Sequence, residues 1–300
     1  MSRHTQLPLF PQYIENKPQY ISVSRRTDIP RFYHHSFLEA WQQGKITYKD
    51  NYGTTHAVSL LPRDVLGYIF WSKDYEPILK DPRFKILLSE NNAIFHFTIN
   101  HCSELEPGLA PLPERLETLH ELVDLVGPKR IIWRFDPICR YQGTGPITDN
   151  CSSFYSLLPI MTALGIKHCF FSFMTHYAKL KKRSPIVFHH FNMVEKQTIS
   201  SAMVAAAKDV SIGLYACCDP ELVDLVPTLR SGSCINNQIL ASTDRFNRHL
   251  PLSRKPTRKG CKCYSARDVG SYNQQCGHGC LYCYANPQLK SPKSQLNRIT

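Results

Sequence analysis

The stretch CGHGCLYCYA, residues 276–285, sets three thiols, Cys276, Cys280 and Cys283, at the spacing C-x3-C-x2-C. Loops of three and two residues let three thiolates turn toward one centre, and thiolate is the ligand that iron–sulfur clusters and soft metals take. Three close ligands leave one coordination position to a distant fourth cysteine or to another molecule. His278, between Gly277 and Gly279, is either a further ligand or a turn residue. Cys261 and Cys263 (CKC), Cys234 (SGSCINN) and Cys217 or Cys218 (YACCDP) can supply a second four-thiolate set. Cys261 and Cys263 can equally supply the second pair of a structural zinc site, and any one of these outer cysteines can complete the first set. Cys102, Cys139, Cys151 and Cys169 have no partner spacing, and Cys151 and Cys169 read as small buried residues.

A second group is charged. Arg25, Arg26 and Asp28 (SRRTDIP), Lys73 (WSKD), and Arg134 and Asp136 (WRFDP) directly follow or end apolar runs. Charge in such places is costly unless paired, hydrated or used. These six residues are therefore expected to line a substrate or cofactor cavity. The structural alternative pairs Arg25 or Arg26 with Asp136 and Arg134 with Asp28, or makes Asp28 and Asp136 simple turn formers ahead of their prolines.

The elements that must position these groups follow from periodicity. Short β-rich runs at 20–24, 66–71, 93–99, 130–135, 168–174 and 211–217 are nearly continuous in apolar residues, as strands buried on both faces are. Helical patterns lie between them. In PERLETLHELVDLVG, Leu116, Leu119, Leu122, Val123 and Val126 share a face, with Pro113 near the start and Gly127 at the stop. A second helix follows PITDN, capped by Asp149 or Asn150, and a third runs through EKQTISSAMVAAAKDV. The stretch ITYKDNYGTTHAVSLL reads as a hairpin insertion turning near Asn51 and Gly53. The alternation predicts an α/β fold with a parallel sheet. A partial (β/α)6 TIM-like barrel is preferred, because no GxGxxG follows the first strand and polar residues recur at strand ends, where barrels gather their chemistry.

Composition bounds the function. The chain has 300 residues, is 42% hydrophobic and carries a formal charge of +12. Ten of those twelve positive charges fall in residues 245–300, where eleven Lys and Arg face the single acid Asp268. Such a segment can attract nucleic acid or a phosphorylated substrate, although RHLPLSRKPTRKGCK lacks the aromatic interleaving of a stacking platform. No charged leader followed by an apolar core, and no apolar run long enough for a membrane span, is present. A cytoplasmic protein with no membrane partner is expected, with cysteines serving as ligands or buried residues rather than disulfides. The organisation expected is a barrel-like domain over 1–245 and a basic, cysteine-rich segment over 246–300 that folds over the barrel mouth.

The motif CGHGCLYCYA resembles the cluster motif of the radical S-adenosylmethionine enzymes, with Tyr282 in the aromatic position before the last cysteine, and its variant is similar to members related to spore photoproduct lyase. From SVSRRTDIP through WRFDPI to the motif, nearly the whole chain resembles an uncharacterised bacterial family, domain of unknown function 1848. The first resemblance implies a partial (β/α)6 barrel and a four-iron four-sulfur cluster held by Cys276, Cys280 and Cys283. It also implies S-adenosylmethionine on the open iron, cleaved by one electron to a 5′-deoxyadenosyl radical, and an electron donor such as a flavodoxin or ferredoxin. In that family the motif follows the first strand, whereas here it follows all six, and no GGE-like stretch is present. Two other classes compete: a non-catalytic iron–sulfur electron carrier or redox sensor, and a zinc-stabilised nucleic-acid-binding protein.

Overall fold

The computed structural model describes residues 17–50, 52–101, 103–182, 186–285 and 287. Asn51 of the hairpin turn, Cys102, and Lys290, Lys293 and Arg298 of the basic tail lie outside the described residues.

Six apolar runs become strands: β1 (Gln19–Val23), β2 (Val65–Ser72), β3 (Ala93–Thr98), β4 (Ile131–Ile138), β5 (His168–Phe173) and β6 (Gly213–Cys217). Five short strands were not anticipated: Arg140–Gln142, Thr148–Asp149 and Val187–His189 form a small antiparallel sheet of their own, and β7 (Arg230–Gly232) and β8 (Arg267–Asp268) join the six. All eight form one sheet in the order β7-β6-β5-β4-β3-β2-β1-β8, and every neighbouring pair is parallel. The expected six-stranded count is thus corrected to eight. The two additions carry charge and only two or three residues each, so no apolar run betrays them; they are strands because a longer neighbour offers a free edge. Among the described residues no ladder joins β7 to β8.

Alternation along each strand sorts side chains to two cores. Ile21, Phe70, Phe95, Trp133, Phe171 and Ala216 belong to the core shared with the helices. Their neighbours Tyr20, Ile69, Ile94, Ile132, Phe170 and Tyr215, one from each of β1 to β6, meet in a second core with Trp71. β2 is buried at all eight positions, the signature of a strand covered on both faces.

The helices run where their patterns place them. Leu112–Val126 has proline in its first turn and stops at Gly127, whose φ of 80° favours glycine. Cys151–Ala163 is started by Asp149, whose Oδ1 accepts from the Cys151 amide at 3.1 Å. Asn150 instead turns inward, its Nδ2 donating to the carbonyls of Asn100 and Pro137 at 3.2 Å each. Met193–Asp209 opens with a capping box between Asn192 and Glu195. The insertion is an antiparallel hairpin, Lys45–Lys49 with Thr55–Ser59.

The C-terminal segment joins the sheet itself. β8 adds to the free edge of β1, and the Asp268 carboxylate accepts from Ser22 Oγ at 2.8 Å, Ser24 Oγ at 2.6 Å and the Arg25 amide at 3.0 Å. A carboxylate with that many donors fixes the segment against the first strand end. Among the described residues no helix is long and apolar enough to cross a membrane.

A candidate thiol-lined site at the strand ends

The carboxyl ends of the strands and the C-terminal segment enclose one cavity of about 580 Å³. All six charged residues expected there line it: Arg25, Arg26, Asp28, Lys73, Arg134 and Asp136. So do Cys276, Cys280, Cys283 and Tyr282, together with Cys217, Cys234, Cys261 and Cys263. With Cys218 the cavity has eight thiols in its wall, whereas Cys169 is fully buried in the helix-side core.

Close backbone packing holds the motif loop. The Gly108 amide donates to the His278 carbonyl at 2.9 Å, and the Leu281 amide to the Leu105 carbonyl at 2.9 Å. A Cβ added at Gly108 would lie 2.2 Å from the Gly277 carbonyl oxygen, backbone against backbone, and Gly279 takes a φ of 64°. Gly108→Ala therefore forces the loop away from its seat without touching a thiol. We expect Cys276, Cys280 and Cys283 to react with a thiol reagent in the native protein at least several-fold faster in this variant; an unchanged rate would show that the loop keeps its seat.

The pairings expected among the charged residues are not those found. Arg25 faces Asp268 at 3.5 Å instead of Asp136, and Arg26 donates to the Gly270 carbonyl at 2.9 Å. Arg134 pairs with Asp136, not Asp28. The reason is local: residues two apart on β4 share a face. Asp28 does cap the short helix Ile29–Phe32, accepting from the Arg31 amide at 3.0 Å. It also accepts from Ser72 Oγ at 2.8 and 2.9 Å, the Lys73 amide at 3.0 Å and His278 Nε2 at 2.8 Å. His278 is 2% exposed, lies edge-on to Phe32 and is tied to Asp28. His278 does sit in a turn, and its ring adds a tie between motif and first strand; Asp28 is correspondingly far more than a turn former.

Sequence reasoning missed Glu106. It is buried beside Lys73, whose Nζ donates to it at 2.6 Å, and it accepts from the Tyr282 hydroxyl. Burial raises the Glu106 carboxyl, but the Lys73 ammonium and the Arg115 guanidinium reverse this and hold it below the usual carboxylate range. A depressed folded value means stability that is present above the ordinary carboxylate range and lost as pH falls through the folded one. Urea unfolding followed from neutral pH down to well below the ordinary carboxylate range should show this acid-side loss, and Glu106→Gln should flatten it while lowering stability at neutral pH. An unaltered acid slope in the variant would remove Glu106 from the account.

Trp71 stands in the wall with Tyr177, Tyr272, Tyr282 and Tyr284. Its indole donates to Ser22 Oγ at 3.0 Å, stacks on His96 at 3.9 Å, and carries the guanidiniums of Arg25 and Arg134 at 5.8 and 5.5 Å from its centroid. Burial, with Arg134 adding, pushes His96 down to about 3, so its imidazole is neutral.

The three motif thiols fit a cluster by the chemistry of their surroundings. Burial pushes Cys276 up to about 12, with Asp28 and Cys283 adding to it, and burial holds Cys280 well above the thiol range, with Glu106 and the two other thiols adding against Lys73. Thiols that resist ionising together are relieved by a shared cationic centre. A hydrogen bond to sulfur is already in place at Cys283, whose Sγ accepts from the Ala285 amide at 3.3 Å. Among the described residues no three His, Cys, Asp or Glu side chains close into a cage for a single metal ion. The thiolates of a four-iron cluster each take a different iron, and so surround a larger volume.

A family profile described as Domain of unknown function (DUF1848) matches residues 20–285. No curated protein matches the chain. Among solved structures, a candidate sugar phosphate isomerase/epimerase from Anabaena variabilis is 12% identical, with 76% of this chain and 69% of that chain covered at a TM-score of 0.26. A likeness at that level carries no argument about activity.

Proposed function

The chain belongs to the DUF1848 family, and from that premise we propose that it is an iron–sulfur enzyme of the radical S-adenosylmethionine type, with Cys276, Cys280 and Cys283 holding a four-iron four-sulfur cluster. The observation that carries the reading is that these three thiols, with an amide donor on the Cys283 sulfur, face a cavity walled by the charged residues at the ends of β1, β2 and β4. The fold is read as an incomplete (β/α) barrel, with the cysteine-rich segment over its mouth. When bound, such a cluster supplies the electron for reductive cleavage of S-adenosylmethionine, and an external one-electron donor of the flavodoxin or ferredoxin kind reloads it.

The chain's own residues bind, orient and exclude water. Asp28 locks His278, and with it the motif loop, to the ends of β1 and β2. Glu106, paired with Lys73, fixes the Tyr282 hydroxyl. Arg25 and Arg134, held over Trp71, present cationic edges to the cavity. That arrangement suits a substrate with an aromatic or anionic portion, phosphorylated substrates included. A nucleic-acid role has less support, because Arg245 and Arg254 of the basic segment turn to protein carbonyls and Arg258 to a thiol.

Electron paramagnetic resonance of the anaerobically purified, reduced protein tests the proposal. A four-iron signal that shifts on adding S-adenosylmethionine is expected. A signal indifferent to it favours an electron carrier or sensor, a reading encouraged by the five other thiols of the cavity wall. Zinc without iron would overturn both.

A further inference from the structure

The five thiols outside the motif are not scattered along the cavity wall. β6 ends at Cys217, which stands in register with Gly232 of β7, and Cys234 follows two residues later. A Cβ on Gly232 would come within 2.9 Å of Cys217 Sγ, so glycine is what lets the two strand ends bring their sulfurs close. Cys217 Sγ and Cys234 Sγ are 3.2 Å apart, and Cys234 packs against the buried cluster that holds Cys217, Cys261 and Cys263. The CKC loop is pinned there by Ser233 Oγ, which donates to the Lys262 carbonyl at 2.9 Å, and by the Tyr264 amide, which donates to the Ile235 carbonyl at 3.0 Å. Cys261 Sγ accepts from the Cys263 amide at 3.5 Å and from Thr257 Oγ1 at 3.6 Å.

Buried cysteines that merely fill space need no cations. Here Arg134 Nη1 donates to Cys234 Sγ at 3.1 Å, with its side chain only 13% exposed, while Arg258 Nε is taken up by the neighbouring Cys218 Sγ at 3.0 Å. A buried guanidinium aimed at sulfur, together with amide and hydroxyl donors on a neighbouring sulfur, is what an anionic thiolate cluster needs around it. Three segments far apart in sequence converge to provide this, and none of it touches the motif cysteines. Disulfide formation would use only the Cys217–Cys234 pair and leave Cys261 and Cys263 unexplained.

We propose that Cys217, Cys234, Cys261 and Cys263 bind a second four-iron four-sulfur cluster, fully ligated by cysteine and facing the same cavity as the motif. Cys218, held by Arg258, stays outside the ligand set. The site stands on its own thiols and does not rest on the reading of the motif.

The test compares iron, sulfide and zinc content and electron paramagnetic resonance, after anaerobic purification, in three full-length chains. The wild-type chain should hold about eight iron atoms. The Cys276→Ala/Cys280→Ala/Cys283→Ala chain should keep about half of them, with a signal that ignores S-adenosylmethionine. The Cys234→Ala/Cys263→Ala chain should lose the other half and keep the responsive signal, which also shows that it has folded. Half the expected iron in the wild type, all of it lost with the motif thiols, would overturn the second site and leave the proposed function standing. Half the iron, all of it lost with Cys234 and Cys263, would do the reverse. Zinc bound in proportion to these four thiols, or a Cys217–Cys234 disulfide found by mass spectrometry with no second complement of iron, would also overturn the inference.

Discussion

Replacing Cys280 by alanine is expected to abolish the paramagnetic signal that responds to S-adenosylmethionine, and with it all turnover. Cys280 is the most buried of the three motif thiols at 5% exposure, and it lies in the small core with Leu105, Leu281 and Tyr282. Alanine offers no ligand atom in place of its sulfur, so the loss should be complete rather than graded. The control is Cys169→Ala, which deletes an equally inaccessible thiol, 0% exposed, from the helix-side core. That change costs packing, of order 1–2 kcal/mol, and leaves the iron in place. Equal loss in both variants would mean that the iron signal reports folding rather than ligation; an intact response in Cys280→Ala would remove this thiol from the ligand set and the proposed function with it.

Much of this site was readable before the structure because its supports are repetitive and its ligands are chemically distinctive. The six long strands announced themselves as apolar runs, and the charged residues at their ends fell where a parallel sheet collects them. The wiring was not readable. Arg25 finds Asp268 only because β8 exists, and two residues that include an arginine and an aspartate leave no periodic trace. Asp28 and His278 are 250 positions apart, and only the return of the tail to the first strand end brings them together. Glu106 follows no strand directly; it enters on the turn after β3, and nothing in SELEPG marks it as the acid that Lys73 requires. One pairing was within reach: Arg134 and Asp136 sit two apart on a strand, and period-2 geometry alone places them on one face.

These unpredicted ties share a logic. The motif loop brings no helix or long strand of its own, so its position must come from polar anchors on the sheet. Asp268 fixes the approach of the segment to β1, His278 on Asp28 fixes the loop's entry, and Tyr282 on Glu106 fixes its exit. Each anchor is a buried carboxylate that accepts from both the segment and the sheet or its following turn, so holding the segment and holding the cavity wall are one task.

Of the three, Asp28 has the most to lose, and Asp28→Ala is expected to destabilise the protein by about 3–5 kcal/mol. The carboxylate is 7% exposed and accepts from Ser72 Oγ, His278 Nε2 and the amides of Arg31 and Lys73. Deleting it leaves those donors without their acceptor, and a buried unpaired donor keeps the full cost of its lost hydration. The loss of the helix cap alone is worth about 1 kcal/mol; the rest comes from the Ser72, Lys73 and His278 contacts. In a chain of this size the melting temperature should drop by about 10 °C. Asp28→Asn keeps the shape and one accepting oxygen but turns an N–H toward groups that already donate, so it should recover only part of the loss. Because His278 is within the motif, both variants should also lose iron faster than wild type on exposure to a chelator, with alanine the worse. A melting temperature within 2 °C of wild type for Asp28→Ala would show that these donors find other partners, and the motif would then need a different anchor.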